Sequence, residues 1–158
     1  MDTLFIAMLL NSDEEAVGRL LRHPRSNITL SDAGAHLTFF NDAGYGLYML
    51  EKWVREKKIM SKEKAIYNLT GKQADIYRID QRGRLVPGQY ADMMLIDFDK
   101  VGVSKTYRVN DLPGGSSRLN IDGHGIHSVW INGEKVFSEN SIINKKILPG
   151  KVLRGFHA

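Results

Sequence analysis

The hydrophobic period of this chain changes once, near residue 80, and that change limits the folds open to it. Before it, apolar residues recur at three- and four-residue spacing, as on one face of a helix. After it, short apolar runs of β-favouring residues are separated by Gly, Pro and Asn turns. A helix bundle does not accommodate the second pattern, and a β-sandwich does not accommodate the first. The chain is therefore expected to mix α and β, with one portion over 1–80 and another over 81–158.

In the first portion, Ser12-Asp13-Glu14-Glu15 has the form of a capping box, with Ser12 as the expected cap. Ala16, Val17, Leu20 and Leu21 follow as an apolar stripe, and His23-Pro24 ends the helix. Asn27 to Ser31 then reads as a short buried strand. A second helix starts between Gly44 and Gly46 and carries Leu47, Leu50, Trp53 and Val54. A third is capped by Ser61, uses Ala65, Ile66 and Leu69, and is expected to stop at Gly71, with one further turn over 74–77. The N-terminal run Leu4 to Leu10 is too short to span a bilayer and lacks a preceding basic region, so it reads as a buried strand or helix start.

In the second portion, Val86-Pro87-Gly88 marks a turn and Met93 to Phe98 a strand. His127 to Ile131 and Lys135 to Phe137 flank Asn132-Gly133, a strong hairpin signal because both residues accept positive φ. Residues 99–126 read as one long polar, Gly-rich loop, a length that usually serves function or covers a partner surface.

The 158 residues carry a net charge of +4, with Lys and Arg dispersed, and Arg55-Glu56-Lys57-Lys58 reads as a solvated helix face. No nucleic-acid or membrane partner is expected, and a cytoplasmic setting fits. The absence of cysteine excludes disulfides, thiolate metal sites and cysteine nucleophiles.

The chemistry-bearing candidate is Ser31-Asp32-Ala33-Gly34-Ala35-His36. A carboxylate at a strand's C-terminal end, followed by small residues, lets a substrate or metal approach the backbone. The same Asp also suits an ordinary turn cap. His36 stands four residues on, within reach of the same ligand if the segment is helical, though Gly34 disfavours that. His23 precedes a proline. His124 and His127 fall in or after the Gly-rich stretch and read as surface histidines. His157 lies in the tail. No H-x-H, H-E-x-x-H or G-x-S-x-G pattern is present, so the residues spell no complete active site.

Three segments together carry a family likeness: SDAGAH with the following DAGY, Arg82-Gly83-Arg84-Leu85-x-Pro87-Gly88 with Ala91-Asp92, and Val129-Trp130-Ile131-Asn132-Gly133. With them, nearly the whole chain resembles the C-terminal part of the N-acyl-D-amino-acid deacylases of the amidohydrolase superfamily. The resemblance implies the last strand and helices of a (β/α)8 barrel, plus part of a small β-sandwich. It implies a zinc-dependent hydrolase of amide bonds in N-acyl-D-amino acids or related small molecules. Asp32 would be the metal-adjacent carboxylate and the acid/base, and His36 a substrate contact. The histidine ligands would come from earlier barrel strands. This chain alone would then be inactive and bind no zinc. Its uncovered edges would favour a homo-oligomer. The competing reading is a non-catalytic interaction module derived from such an enzyme.

Overall fold

The computed structural model describes residues 10–138, 141–143, 146 and 148–154. Most of the Leu4 to Leu10 run and His157 lie outside the described residues. The molecule is a mixture of helix and antiparallel sheet.

Helix α1 spans Glu14–Arg22. Its cap is Asp13 rather than the expected Ser12. The Asp13 carboxylate accepts from the Glu15 and Ala16 amides at 2.9 and 3.1 Å. A charged acceptor at the positive helix end is favoured over a hydroxyl one residue earlier. The helix ends at His23, held extended ahead of Pro24 at φ −66° and ψ 131°. Helix α2, Tyr45–Tyr48, continues without a break into π-helical turns over Met49–Glu56. There the Lys57 amide reaches back five residues to the Lys52 carbonyl, at 2.9 Å. Helix α3, Lys62–Leu69, starts from the Ser61 hydroxyl, which accepts from the Lys64 amide.

Gly71 does not end the helical run. It opens α4, Gly71–Tyr77, after a break at Thr70 (φ −128°, ψ −83°). Ile66 is turned outward, while Ala65 is fully buried.

The expected strand over Asn27 to Ser31 does not form. A strand requires a neighbour for its ladder, and no described segment lies beside it as one. Side chains serve the carbonyls of this segment and of the residues just before it instead. Lys72 Nζ donates to the Pro24 and Ser26 carbonyls at 3.0 and 2.5 Å. Gln73 Nε2 donates to Ile28 and the Tyr45 hydroxyl to Thr29. Ile28 packs on the core while Leu30 is 86% exposed.

A four-stranded antiparallel sheet has the order β1-β6-β7-β8. Its strands are β1 Met93–Ile96, β6 Ile126–Ile131, β7 Glu134–Ser138 and β8 Ser141–Ile142. The β6–β7 turn has φ 51° at Asn132 and 84° at Gly133, the double positive φ the Asn-Gly pair predicted. Gly88, at φ 89°, closes the Pro-Gly turn, with the Gln89 amide bonded to the Val86 carbonyl.

The stretch 99–126 is not the irregular loop expected. It is an arm folded back on itself: β2 (Gly102–Val103) pairs with β5 (Gly123–His124), and inside them β3 (Tyr107–Val109) pairs with β4 (Arg118–Asn120). Runs of two or three residues carry no readable period, so sequence alone could not show these ladders.

The arm is anchored to the helices. Val101 is fully buried with Met49, Leu50, Trp53, Val54 and Ala65. Arg55 Nη1 donates to the Phe98 and Val101 carbonyls, and Glu51 accepts from the Val103 amide at 3.1 Å. Gly125, at φ 72°, passes so close that a β-carbon would stand 2.4 Å from the Val101 nitrogen.

The motif residues Arg82, Asp92 and Asn132 form a clasp. Arg82 pairs with Asp92 and donates to Asn132 Oδ1 at 2.5 Å, while Asp92 accepts from the Asn132 amide at 2.8 Å. The Arg82 guanidinium also lies 4.3 Å from the Tyr90 ring centroid. These residues lock the hairpin turn to the segment before β1.

Candidate active site around Asp32

Asp32 opens a tight turn. The Ser31 hydroxyl accepts from the Ala33 amide at 3.2 Å, and the Asp32 carbonyl accepts from Ala35 at 3.2 Å. Asp32 has φ 54° and Gly34 φ 95°. A β-carbon built on Gly34 would meet nothing within 4 Å, so the turn leaves open space on that side. Two left-handed residues in the turn fold the chain so that His36 returns to the acid. His36 Nε2 stands 3.6 Å from Asp32 Oδ2, and the two side chains are 46% and 60% exposed. The imidazole leans on Phe39, with ring centroids 5.1 Å apart. The pairing expected from four-residue spacing therefore arises from a turn, not from a helix.

The other described histidines do not join this pair. His23 Nδ1 accepts from the Arg25 amide. His124 lies on β5 opposite Gly102, and His127 lies on β6. Among the described residues, no three His, Asp or Glu side chains come together as a metal cluster. A catalytic zinc takes about three protein ligands. One carboxylate and one imidazole, by themselves, do not fit it.

The arm lies over the chain that leaves this turn. The Leu119 amide donates to the Leu37 carbonyl at 2.7 Å, Asn41 Nδ2 donates to the Leu119 carbonyl, and Arg108 reaches the Thr38 carbonyl. The long excursion thus covers the segment beyond Asp32 rather than hanging free.

Asp42 was missed in the sequence. Its Oδ1 is shut off from solvent and has no hydrogen-bond partner. Burial raises its carboxyl above the ordinary range, its own backbone amide opposes that, and the charge of Asp32 adds to the rise. A signal was present: Asp-Ala-Gly occurs twice, at 32–34 and again at 42–44.

Residues 6–137 match the amidohydrolase family model, most of the chain and all of the site just described. The chain belongs to the amidohydrolase family. Its curated relatives include an N-acyl-D-aspartate deacylase from Alcaligenes xylosoxydans xylosoxydans, 30% identical over 143 residues, covering 89% of this chain and 26% of that protein. An N-acyl-D-glutamate deacylase from the same organism is 29% identical, covering 94% of this chain and 28% of its own length. Among solved structures, a D-aminoacylase gives 25% identity and a TM-score of 0.47 over 63% of this chain and 19% of that one. An N-acyl-D-glutamate deacylase from Bordetella bronchiseptica, complexed with zinc and a phosphonate inhibitor, gives 28% identity and a TM-score of 0.45 over 60% and 18%. The chain spans about a quarter of the length of the curated relatives it matches.

Proposed function

We propose that this chain is the C-terminal portion of a barrel enzyme that hydrolyses the amide C–N bond of N-acyl-D-amino acids, with Asp32 as its proton-handling carboxylate. The observation that carries the reading is an exposed carboxylate held at positive φ, beside open backbone, inside a segment that matches an amide-hydrolase family. Asp32 takes a proton from the attacking water as its oxygen bonds to the carbonyl carbon. It then returns a proton to the nitrogen as the C–N bond breaks, giving a carboxylic acid and a free amine. His36, beside Asp32, contacts the substrate. Zinc, when bound in the intact enzyme, supplies Lewis-acid polarisation. It requires ligands beyond Asp32 and His36.

The relatives named for N-acyl-D-aspartate and N-acyl-D-glutamate make those two amides the first substrates to try. The longer reading frame around this chain, the chain alone and an Asp32→Asn form of the longer protein are assayed for release of free amino acid. Turnover by the longer protein alone, lost in the Asp32→Asn form, is expected. A longer protein that releases no amino acid from a panel of N-acyl-D-amino acids refutes the reading and favours a non-catalytic module.

A further inference from the structure

The turn that carries Asp32 and His36 is tethered from one direction. Among the described residues, every hydrogen bond from residues 31–41 to a distant part of the chain ends on the arm. Leu119, the middle residue of β4, makes two of these bonds. Its amide donates to the Leu37 carbonyl at 2.7 Å, and its carbonyl accepts from Asn41 Nδ2 at 3.1 Å. The other comes from Arg108, opposite Leu119 on β3, whose Nη2 donates to the Thr38 carbonyl at 3.2 Å. The root of the arm is itself fixed, because Val101 is fully buried and Arg55 and Glu51 hold the backbone around it.

The two Leu119 bonds bracket residues 38–40, and Phe39 sits inside the bracket. There the His36 carbonyl accepts from the Phe39 and Phe40 amides at 3.1 and 2.9 Å, closing a tight turn. The Phe39 ring lies against the His36 imidazole, with centroids 5.1 Å apart, and that imidazole stands 3.6 Å from Asp32. Side chains as exposed as these exchange rotamers readily unless their backbone and neighbours hold them. Asn41 closes the bracket and is fixed at both ends of its amide. Its Oδ1 accepts from the Ala43 amide at 3.1 Å while its Nδ2 reaches the arm. Arm, Asn41, Phe39, His36 and Asp32 therefore form one connected series of contacts.

We propose that the arm is a positioning element of this site and Asn41 its positioning residue, holding Phe39, and through it the His36 imidazole, beside Asp32. That the Asp32–His36 pair is a working site rests on the proposed hydrolase function; the tether does not.

The test is NMR of the isotope-labelled full chain, at one fixed pH for every form. The wild-type chain is expected to show cross-peaks between the His36 and Phe39 rings. It is also expected to show a ring-current shift of the His36 ring protons, which Phe39→Leu removes. Asn41→Ser keeps an acceptor for the Ala43 amide but is too short to reach Leu119. It should weaken the cross-peaks and remove most of the ring-current shift. It should also speed amide exchange at Leu119, Phe39 and Phe40 about 5-fold, the factor for one neutral hydrogen bond. Arg108→Met, at an exposed position, should act in the same direction to a smaller extent. His23, His124 and His127 should keep their wild-type signals in both variants. If Asn41→Ser does not fold, Arg108→Met decides. Cross-peaks unchanged in the folded variants, cross-peaks missing from the wild type, or equal shifts at all of these histidines overturns the proposal. Because His36 is read without turnover, the expected shifts beside an inactive longer enzyme would refute the hydrolase reading alone. An active longer enzyme whose His36 signals ignore both substitutions would refute the tether alone.

Discussion

Asp32 occupies a backbone region where a β-carbon is disfavoured, at φ 54°. Glycine would fit that conformation at lower cost, although Asp is among the few other residues that enter it. Asp32→Gly is therefore expected to leave the melting temperature unchanged or slightly raised. Asp32→Asn is expected to lower turnover of the longer enzyme by roughly 10²- to 10⁴-fold, the range for losing a general acid/base. Thermal melts and steady-state rates on the same preparations check both. Asp92 gives a residue-scale prediction about pH. Burial pushes its carboxyl upward, but the Asn132 amide and the Arg82 guanidinium outweigh that, and it ends below the usual range. A lowered folded value means its contribution is present above the unfolded carboxylate range, near pH 4, and is lost as pH falls through the folded value. Asp92→Asn should therefore lower stability at neutral pH, by about 1–2 kcal/mol for a hydrogen-bonded charge pair. It should also flatten the acid limb of a plot of melting temperature against pH.

At the scale of elements, the hairpin, β1 and the Pro-Gly turn were legible because each is set by local chemistry: Asn132 and Gly133 accept positive φ, and Pro87 fixes its own. Segment 27–31 was not legible, because an apolar run becomes a strand only where another strand meets it. Here Gln73 and Tyr45 serve its carbonyls, and Lys72 the Ser26 carbonyl just before it, from helices distant in sequence. The arm escaped for a different reason: its ladders are too short to carry a period, and their pairing is set by Val101 docking among helical residues. In the candidate site, Asp32 and His36 were readable as a pair, whereas the burial of Asp42 depends on packing that no local pattern encodes. Two tests follow from these contacts. Lys72→Met, which keeps the stem and removes the ammonium, should speed amide hydrogen exchange across residues 26–33 more than in α1. Gly125→Ala should cost more than about 3 kcal/mol in urea unfolding, since positive φ and a backbone clash act together and the Val101 backbone cannot move aside.

On the scale of the whole molecule, many large apolar side chains are exposed among the described residues. Among the described residues β1 is an edge strand, with Leu95 55% exposed, and Leu85 on the preceding segment is 75% exposed. Leu85 and Ile96 line an apolar groove of about 530 Å³ together with Ile66, Tyr67 and Phe98. An open, apolar edge invites pairing with another strand, and two copies of one antiparallel edge can meet about a two-fold axis. We propose that the isolated chain self-associates through this face. Light scattering should then give a mass above the 17.8 kDa of one chain, rising with concentration. Leu85→Lys combined with Leu95→Lys places like charges along this edge while leaving the buried cluster around Leu50 and Val101 untouched. That double variant should scatter as a single chain and keep the wild-type far-ultraviolet circular dichroism. A wild-type chain that stays at 17.8 kDa up to high micromolar concentration would show that the exposed face does not drive association.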